Sequence, residues 1–248
     1  GVYALIALGY TMVYGILELI NFAHGEIYML GAYLGIIFLG FFTAIGLTSY
    51  SLPLALALTF VLSIVFCSAY GFTIEKTAYK PLRNASRLSP LISAIGVSIF
   101  LQNYVMLTQG ATDKVFPHLF EETGFEMQGM TFTYIQIFII VVSAVLMMLL
   151  NLFITKTRMG KAMRAVAQDK TMASLVGINI DTVISVTFVI GSGLAAVAGL
   201  MVAMYYGLVN YSIGYIAGIK AFTAAVLGGI GSIPGAMFGG ILLGLVES

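Results

Sequence analysis

"IYMLGAYLGIIFLGFFTAIGLTSYSLPLALALTFVLSIVFCSAYGFTI", residues 27–74, contains no Asp, Glu, Lys or Arg. A helix needs about 20 residues to cross the hydrocarbon core of a bilayer, so this run is long enough for two spans. Gly46 and Pro53 lie near its middle, within "GLTSYSLP" (46–53), and both residue types interrupt helices. We therefore predict two membrane helices that are separated by a break at 46–53.

The rest of the chain has the same character. Of its 248 residues 60% are hydrophobic and 8% are charged, whereas an ordinary soluble domain is roughly 45–50% apolar and about 25% charged. Such a chain cannot cover its surface with polar groups, so its solvent is lipid. In lipid, only helices and closed barrels satisfy the backbone, and the apolar runs are too long and unalternating for barrel strands. The uncharged runs are 1–17, 27–74, 88–112, 127–155, 182–219 and 221–246.

These runs predict an all-α, polytopic transmembrane bundle of seven or eight segments, some of them broken or re-entrant. Further breaks are expected near Gly207 or Gly214 and within "GGIGSIPG" (228–235). Residue 1 is Gly, no charged signal-peptide region precedes the first apolar run, and the chain stops within another one. We therefore expect 1–248 to be a single membrane domain that is truncated at both ends.

Charged residues predict the orientation of the bundle. The segments 75–87 and 156–170 contain nine of the eleven Lys and Arg residues, whereas 112–127 is acidic. Because Lys and Arg are retained in cytoplasmic loops, we place the two basic segments in the cytoplasm and 112–127 on the periplasmic side. The net charge of +1 provides no extended basic surface for nucleic acid.

"LINFAHGEIYML" (19–30) brings the polar residues Asn21, His24 and Glu26 into an otherwise apolar region. An ionised residue in the bilayer core costs on the order of 2.5–3.5 kcal/mol, so these side chains do not face lipid. Either the stretch reaches the water interface, or it is a helix break inside the protein. In the second case Asn21 caps the following half-helix and Glu26 lies in its first turn.

A similar stretch occurs later in the chain. "YGILELINFAHGEI" (14–27) and "YGLVNYSIGYI" (206–216) share an Asn, an aromatic residue, a small residue, a Gly and an Ile in the same order. Chance is one explanation in apolar sequence. The other is an inverted repeat, because the charges place the first copy at the inner side or the midplane and the second at the outer side or the midplane. In that case Asn210 and Tyr211 join the first three residues along a substrate pathway.

"TRMGKAMRAVAQDKTMASLVGIN" (157–179) is rich in helix-forming Ala, Met, Lys and Arg. We expect a helix in which Ala165, Ala173 and Gly177, with Asp169 between them, follow one another at intervals of four residues. Such a stripe of small residues is suited to docking of another protein. The alternative is a helix that lies on the lipid headgroups through its Lys and Arg.

Glycines also recur near the end of the chain. Gly231, Gly235 and Gly239 are four residues apart, as are Gly240 and Gly244, which is typical of closely packed membrane helices. The alternative is a non-helical turn at membrane depth, which is tolerated only inside protein or around a water-filled cavity.

No catalytic, ATP-binding or metal-binding motif is recognisable. The chain lacks a phosphate-binding loop, and its only histidines, His24 and His118, have no second ligand at helical spacing. Its single cysteine can form neither a disulfide framework nor a thiolate metal site. We therefore predict a protein that is not an enzyme and that holds no cofactor or metal of its own.

Four blocks together resemble the permease subunit of bacterial branched-chain amino acid ABC importers, and the resemblance covers essentially all of 1–248. They are "ALIALGYTMVYGILELINFAHGEIYMLGAYLG", "SAIGVSIFLQNYV", "RMGKAMRAVAQDKTMASLVGIN" and "KAFTAAVLGGIGSIPGAMFGGILLG". The resemblance implies a multi-pass protein of the bacterial inner membrane that pairs with a second, homologous permease. It also implies two cytoplasmic ATPase subunits, which hold ATP and magnesium, and a periplasmic binding protein that delivers leucine, isoleucine or valine.

The resemblance assigns 156–180 to the cytoplasmic coupling region, which favours protein docking over the headgroup alternative. The residues that match its pattern are Gly160, Arg164, Ala165, Asp169, Ala173 and Gly177. Related permeases for urea or short amides share these blocks and are the nearest alternative. A secondary transporter without ATPases would need more ionisable groups within its spans, and an intramembrane enzyme would need a catalytic pair that the sequence lacks.

Overall fold

The computed structural model describes residues 1–17, 21–83, 85–86, 88–117, 124–127 and 130–247. Over these residues the chain is a helical bundle with two small two-stranded sheets. The helices are α1 Val2–Leu17, α2 His24–Ala44, α3 Leu47–Tyr50, α4 Leu52–Ile74, α5 Leu88–Gln109, α6 Tyr134–Lys156, α7 Arg158–Gln168, α8 Lys170–Leu175, α9 Ile180–Tyr206, α10 Ile213–Gly228 and α11 Ile233–Glu247. The strands are β1 Lys114–Val115, β2 Gly124–Met127, β3 Met130–Thr133 and β4 Leu208–Val209.

Five helical stretches in the described part of the chain are long and apolar enough to cross a membrane. They are α2, α5, α6, α9 and the continuous helix Leu52–Leu82, in which α4 is extended by a π-helical turn, Glu75–Tyr79, and a 3-10 turn, Lys80–Leu82. The shorter apolar helices are α1, α10 and α11. This confirms an all-α, multi-pass membrane protein with both full-length and shorter segments.

The predicted breaks lie at glycines with a left-handed or otherwise positive φ. Gly46 (φ 78°) precedes α3, and Pro53 lies at the start of α4. Gly207 (φ 68°) ends α9, and Gly229 (φ 89°) ends α10. Because residues with a Cβ are strained at positive φ, glycine marks each of these breaks and makes it recognisable in the sequence.

Helix α9 forms the centre of the bundle and packs against α1, α2 and α4. The contacts are close because small residues lie on both helices of a pair: a Cβ on Gly199 of α9 would overlap the Tyr28 backbone, and a Cβ on Gly31 of α2 would lie 2.6 Å from the Ala196 Cα. Close approach of backbones is the usual basis of helix association in lipid, where the hydrophobic effect between helices is absent.

The helices α4, α5 and α6 expose apolar side chains around this centre. Val61, Phe100 and Met148 are each more than half exposed, although all three are strongly apolar. In a water-soluble protein so large an exposed apolar surface would be unusual. Around a membrane bundle it is the lipid-facing surface.

Both basic segments lie at one end of the bundle, because Arg83 contacts Asp181 at the start of α9. The opposite end carries the antiparallel pair β1–β4, in which Lys114 faces Val209 and Val115 faces Leu208. The predicted difference in charge between the two ends stays a prediction. Glu121 and Glu122 of the acidic segment lie outside the described residues.

The contacts between helices follow an inverted repeat that relates α1–α2–α4 to α9–α10–α11. Under this relation, the contact between α1 and α10 corresponds to the contact between α9 and α2. The contact between α2 and α4 likewise corresponds to the contact between α10 and α11. Each of these pairs is in contact, and so are α4 with α9 and its equivalent, α11 with α1. The internal similarity is therefore a structural repeat.

Candidate substrate pathway and coupling surface

The helices α2 and α10 begin with the same turn. The Asn21 carboxamide oxygen accepts a hydrogen bond from the Ala23 N–H (3.1 Å), and that of Asn210 accepts one from the Ser212 N–H (2.9 Å). The backbone carbonyls of both asparagines accept the N–H three residues ahead, at 3.1 and 3.2 Å. Each asparagine therefore satisfies a backbone donor just before a helix: its side chain accepts from the N–H of the N-cap residue, Ala23 or Ser212, and does not itself cap the first turn.

The two helix starts meet inside the bundle. A Cβ on Gly214 would lie 2.7 Å from the Gly25 carbonyl oxygen, and a Cβ on Gly25 would overlap the Gly214 carbonyl oxygen. Gly25 and Gly214 are equivalent positions in the repeat, so this reciprocal contact is that expected beside a pseudo-two-fold axis. The structure therefore supports the helix-break interpretation of 21–26 over the interface interpretation.

The lengths of the helices agree with a start of α2 in the interior of the bundle. Helix α2 has 21 residues and the helix Leu52–Leu82 has 31, which correspond to about 31 Å and about 46 Å. Both helices extend from the end at 44–52, so α2 begins well short of the basic end, in the interior of the bundle.

Glu26 lies at this crossing and is 1% exposed. Its Oε1 accepts a hydrogen bond from the Ser98 hydroxyl of α5 (3.0 Å), while Oε2 has no hydrogen-bond partner among the described residues. A Cβ on Gly214 would be 2.5 Å from Oε2, so the absence of a side chain there makes room for the carboxyl group. A buried oxygen without a partner is costly, and it marks this carboxyl group as a candidate functional group.

His24 is equally buried and packs edge to face against Tyr10, with ring centroids 4.9 Å apart. A Cβ on Gly9 would overlap the His24 Nε2, which has no hydrogen-bond partner in the described chain. The Tyr10 ring also contacts Phe222 of α10, at 6.3 Å between centroids. His24 therefore belongs to an aromatic cluster between the two halves of the repeat.

A very small open cleft, with a cavity volume of about 10 Å³, adjoins this cluster, and its lining is mostly aromatic and apolar. It is lined by Tyr10, Tyr14, Phe222, Ala225 and Ile230. The sequence pattern does not identify this cleft, because its lining comes from α1, α10 and the turn after α10. The cleft has the chemical character that an aliphatic side chain requires.

The predicted pathway residues fall into two groups. Asn21, His24 and Glu26 are fully buried and lie together at the start of α2. Asn210 and Tyr211 are only half-buried, and the Asn210 amide donates to Asp113 at 2.5 Å, on the side of the β1–β4 pair. The structure therefore places the second group at the opposite side of the helix crossing.

The predicted single helix over 157–179 is wrong, because the segment forms two helices, α7 and α8. Asp169 between them has an extended backbone, and its carboxylate accepts a hydrogen bond from the Met172 N–H (3.0 Å). Aspartate is a strong N-cap because it satisfies free N–H groups and favours the positive end of the helix. The continuous stripe of small residues at intervals of four is therefore absent.

The matched coupling residues have different environments. A Cβ on Gly160 would collide with the end of α6, Ala173 is buried, and Ala165 is half-buried. Gly177 (φ 84°) ends α8 and has open space around it. The positions that are accessible to a partner are Arg164, Asp169 and Gly177.

Three apolar residues that the sequence analysis missed form an exposed patch on and after α8. Met172, Leu175 and Val176 are 62%, 74% and 76% exposed. The exposed Arg158, Lys161 and Arg164 of α7 precede this patch and form no ion pair with another described residue. The basic end of the bundle thus presents a surface that is basic on α7 and apolar on α8.

Residues 75–83, which we call the connecting segment, form a further polar cluster with the start of α9. Glu75 is 0% exposed and pairs with Arg83, which also contacts Asp181 at 2.5 Å. Lys80 contacts the same aspartate at 2.6 Å, and the Ser185 hydroxyl donates to Glu75 at 2.8 Å. The charge pattern located 75–87 in a loop but could not identify these partners, which are about a hundred residues away.

Among the residues that the structure describes, no group of three or more His, Cys, Asp or Glu could hold a metal ion. His118 lies outside that part of the chain. Within the described residues, five apolar helices long enough to cross a membrane, packed with buried polar groups at the start of α2, define a polytopic membrane protein.

The chain belongs to the family described as branched-chain amino acid transport system / permease component, whose match covers residues 1–248. It is 54% identical over 252 residues to the high-affinity branched-chain amino acid transport system permease protein BraD of Pseudomonas aeruginosa, covering 99% of this chain and 81% of BraD. It is 53% identical over 250 residues to the permease protein LivH of Escherichia coli, covering 99% and 80%. A probable LivH of Methanocaldococcus jannaschii is 29% identical over 254 residues, covering 98% and 75%. No solved structure matches.

Proposed function

We propose that the protein is the membrane permease subunit of an ATP-driven ABC importer that takes up leucine, isoleucine and valine. The similarity to BraD and LivH over 99% of the chain carries this proposal, since both proteins are named as high-affinity branched-chain amino acid permeases. The protein lies in a bacterial inner membrane, and its basic end faces the cytoplasm, as the distribution of Lys and Arg indicates.

The importer contains a second, homologous permease and two cytoplasmic ATPase subunits, and a periplasmic protein delivers the amino acid. ATP and magnesium are held by the ATPases, and this chain contributes no catalytic group. The ATPases dock on α7 and α8, where Leu175 and Val176 are exposed beside the basic side chains of α7. Burial of apolar side chains at the centre of an interface, with charged groups around them, is a common arrangement in protein complexes.

The amino acid passes the helix crossing at Gly25 and Gly214. The apolar lining by Tyr10 and Phe222 matches the polarity of its aliphatic side chain once the cleft widens, while the buried polar groups of Asn21, His24 and Glu26 are available to its charged groups. Movement of the two helix starts opens this route to one side of the membrane at a time. Broken helices at the interface of inverted repeats serve this purpose in other transporters.

Reconstitution of the complete importer in proteoliposomes tests the proposed function. We expect leucine uptake to require the ATPases and ATP and to be inhibited by unlabelled isoleucine and valine but not by urea. Uptake inhibited by urea would identify the permease for urea or short amides, and uptake without ATPases would identify a secondary transporter.

The docking surface is tested by Leu175→Asp, with Leu175→Met as the matched control. We expect the charged variant to lose the ATPases on affinity purification of the complex, because it would bury an unpaired carboxylate. The methionine variant keeps an apolar side chain and should retain them. Full retention by Leu175→Asp would exclude α8 as the centre of the interface.

A further inference from the structure

The connecting segment, residues 75–83, contacts both the candidate pathway and the start of α9, which directly follows the coupling region. The Tyr79 hydroxyl donates to the Asn21 carboxamide oxygen at 2.9 Å. Arg83 and Lys80 of the same short segment contact Asp181, which lies in the first turn of α9 directly after the coupling region 156–180. One continuous stretch of nine residues therefore joins two sites that the sequence separates by 160 positions.

The contact with α9 resists separation. Glu75 is entirely buried, and its carboxylate is satisfied by Arg83 and by the Ser185 hydroxyl of α9. Removing a partner from a buried charge is strongly unfavourable. The Arg83 side chain is only 17% exposed and is shared between Glu75 and Asp181. The connecting segment and the start of α9 must therefore move together.

The contact with the pathway is equally specific. Tyr79 is 1% exposed, and its ring packs against Phe188 of α9 with centroids 5.1 Å apart. Its hydroxyl bonds the same Asn21 oxygen that accepts the Ala23 N–H at the beginning of α2. A displacement of Tyr79 therefore changes the position of the turn that carries His24 and Glu26.

The helices α7 and α8 of the coupling region are attached to the start of α9 and to the end of α1. The Asn179 carboxamide caps α9 by accepting the Thr182 N–H (3.1 Å), two residues after Gly177 ends α8. In addition, the Lys170 ammonium group of α8 donates to the Leu17 carbonyl oxygen at the end of α1 (3.4 Å). Movement of α8 therefore reaches the start of α9 through the short turn 176–179 and reaches the end of α1 through Lys170.

We propose that the connecting segment transmits the displacement of α7 and α8 to the half-helix α2, with Arg83 and Tyr79 as its positioning residues. This inference rests on the proposed function, in which the ATPases push on α7 and α8. The segment includes a π-helical turn, Glu75–Tyr79, and such turns have less regular hydrogen bonding and often occur at functional sites. Neither residue needs to touch the substrate for this role.

The test compares Tyr79→Phe with Tyr50→Phe in the complete importer, in proteoliposomes in which leucine uptake and ATP hydrolysis are measured together. Tyr79→Phe keeps the ring but removes the hydroxyl, whereas Tyr50 is 86% exposed and far from the segment along α4. Loss of one neutral hydrogen bond predicts that Tyr79→Phe transports about two- to tenfold less leucine per ATP hydrolysed, while its ATPase rate is unchanged. Tyr50→Phe should behave as the wild type.

An unchanged ratio of uptake to hydrolysis in Tyr79→Phe, or an equal fall in both rates, would overturn the inference. If Tyr79→Phe does not assemble, Arg83→Lys provides the same test. A lysine keeps the charge but cannot bond Glu75 and Asp181 as a planar fork, and the same lowered ratio is expected. A wild-type importer without ATP-driven uptake would instead refute the proposed function, so the two failures are distinguishable.

Discussion

Gly31→Ala tests the close contact between α2 and α9 on which the bundle is built. A Cβ at this position would lie 2.6 Å from the Ala196 Cα and 2.7 Å from its carbonyl oxygen. Ordinary van der Waals contact begins at 3.4 Å, so the two backbones must separate by 3.4 − 2.6 = 0.8 Å. Because both obstacles are backbone atoms, no side chain can rotate away to relieve the overlap.

The control is Gly40→Ala in the same helix, where a Cβ would meet nothing within 4 Å. Alanine stabilises a helix interior relative to glycine by up to about 1 kcal/mol, and this gain is common to both substitutions. Overpacking of a close contact costs about 1–3 kcal/mol. The difference between the two variants therefore isolates the overlap, and we expect Gly31→Ala to be less stable than Gly40→Ala by about 1–3 kcal/mol.

The single cysteine provides the assay. Cys67 is 0% exposed, and its Sγ lies 3.7 Å from the Ile27 carbonyl oxygen of α2, so its thiol reacts only when α2 and α4 separate. Heating the detergent-solubilised protein with a thiol-reactive fluorophore therefore follows unfolding of the core. At about 2–4 °C per kcal/mol for a chain of this size, the midpoint of Gly31→Ala should lie about 2–12 °C below that of Gly40→Ala. Coincident midpoints would refute the close contact of α2 with α9.

Three further predictions concern the polar groups. Asp169→Lys should abolish uptake while membrane insertion persists, because it removes the cap of α8 and reverses an exposed charge; Asp169→Asn retains a capping oxygen and should transport in the same assay. His24→Ala should impair uptake in a complex that still assembles on size-exclusion chromatography, and a complex that falls apart would instead indicate a packing role. Arg83→Ala leaves the fully buried Glu75 carboxylate without its guanidinium partner and should lower stability in the Cys67 assay by about 3–5 kcal/mol, whereas Lys80→Ala, which removes a surface pair, should cost less than about 1 kcal/mol. Equal losses for these two variants would contradict the assigned burial.

The breaks between helices could be predicted from the sequence because they depend on local backbone conformation. Gly46, Gly207 and Gly229 each adopt positive φ, and glycine is the residue that does so without strain. The division of 157–179 into α7 and α8 had a local signal as well. Asp169 is a capping residue type, but the helix-forming residues on both sides favoured a single helix.

The contacts that define the candidate site could not be predicted in this way. The pairing of Glu75 with Ser185, of Arg83 with Asp181 and of Tyr79 with Asn21 joins residues that are distant in sequence and carry no local pattern. The cleft lined by Tyr10 and Phe222 likewise depends on how α1 and α10 pack. For the polar stretch 19–30, composition alone left an interface and an internal break equally open, and only its burial in the structure distinguished them.

The inverted repeat explains why some residues recur in both halves and others do not. The free N–H groups before a helix need acceptors, so Asn21 and Asn210 both bond the backbone there, Asn21 at a fully buried position and Asn210 at a half-buried one. A residue beside a pseudo-two-fold axis meets its own counterpart, so Gly25 and Gly214 must both lack a side chain.

The positions between these shared residues differ in chemistry. Counting from the paired asparagines, His24 corresponds to Ile213 and Glu26 corresponds to Tyr215. The buried imidazole and carboxyl groups therefore belong to one half alone, whereas the other half presents apolar and aromatic side chains at the equivalent places. A symmetric backbone that carries asymmetric chemistry suits a substrate that is itself polar at one end and aliphatic at the other. Exchanging the two pairs of residues would preserve the scaffold and should abolish leucine uptake, which the proteoliposome assay would detect.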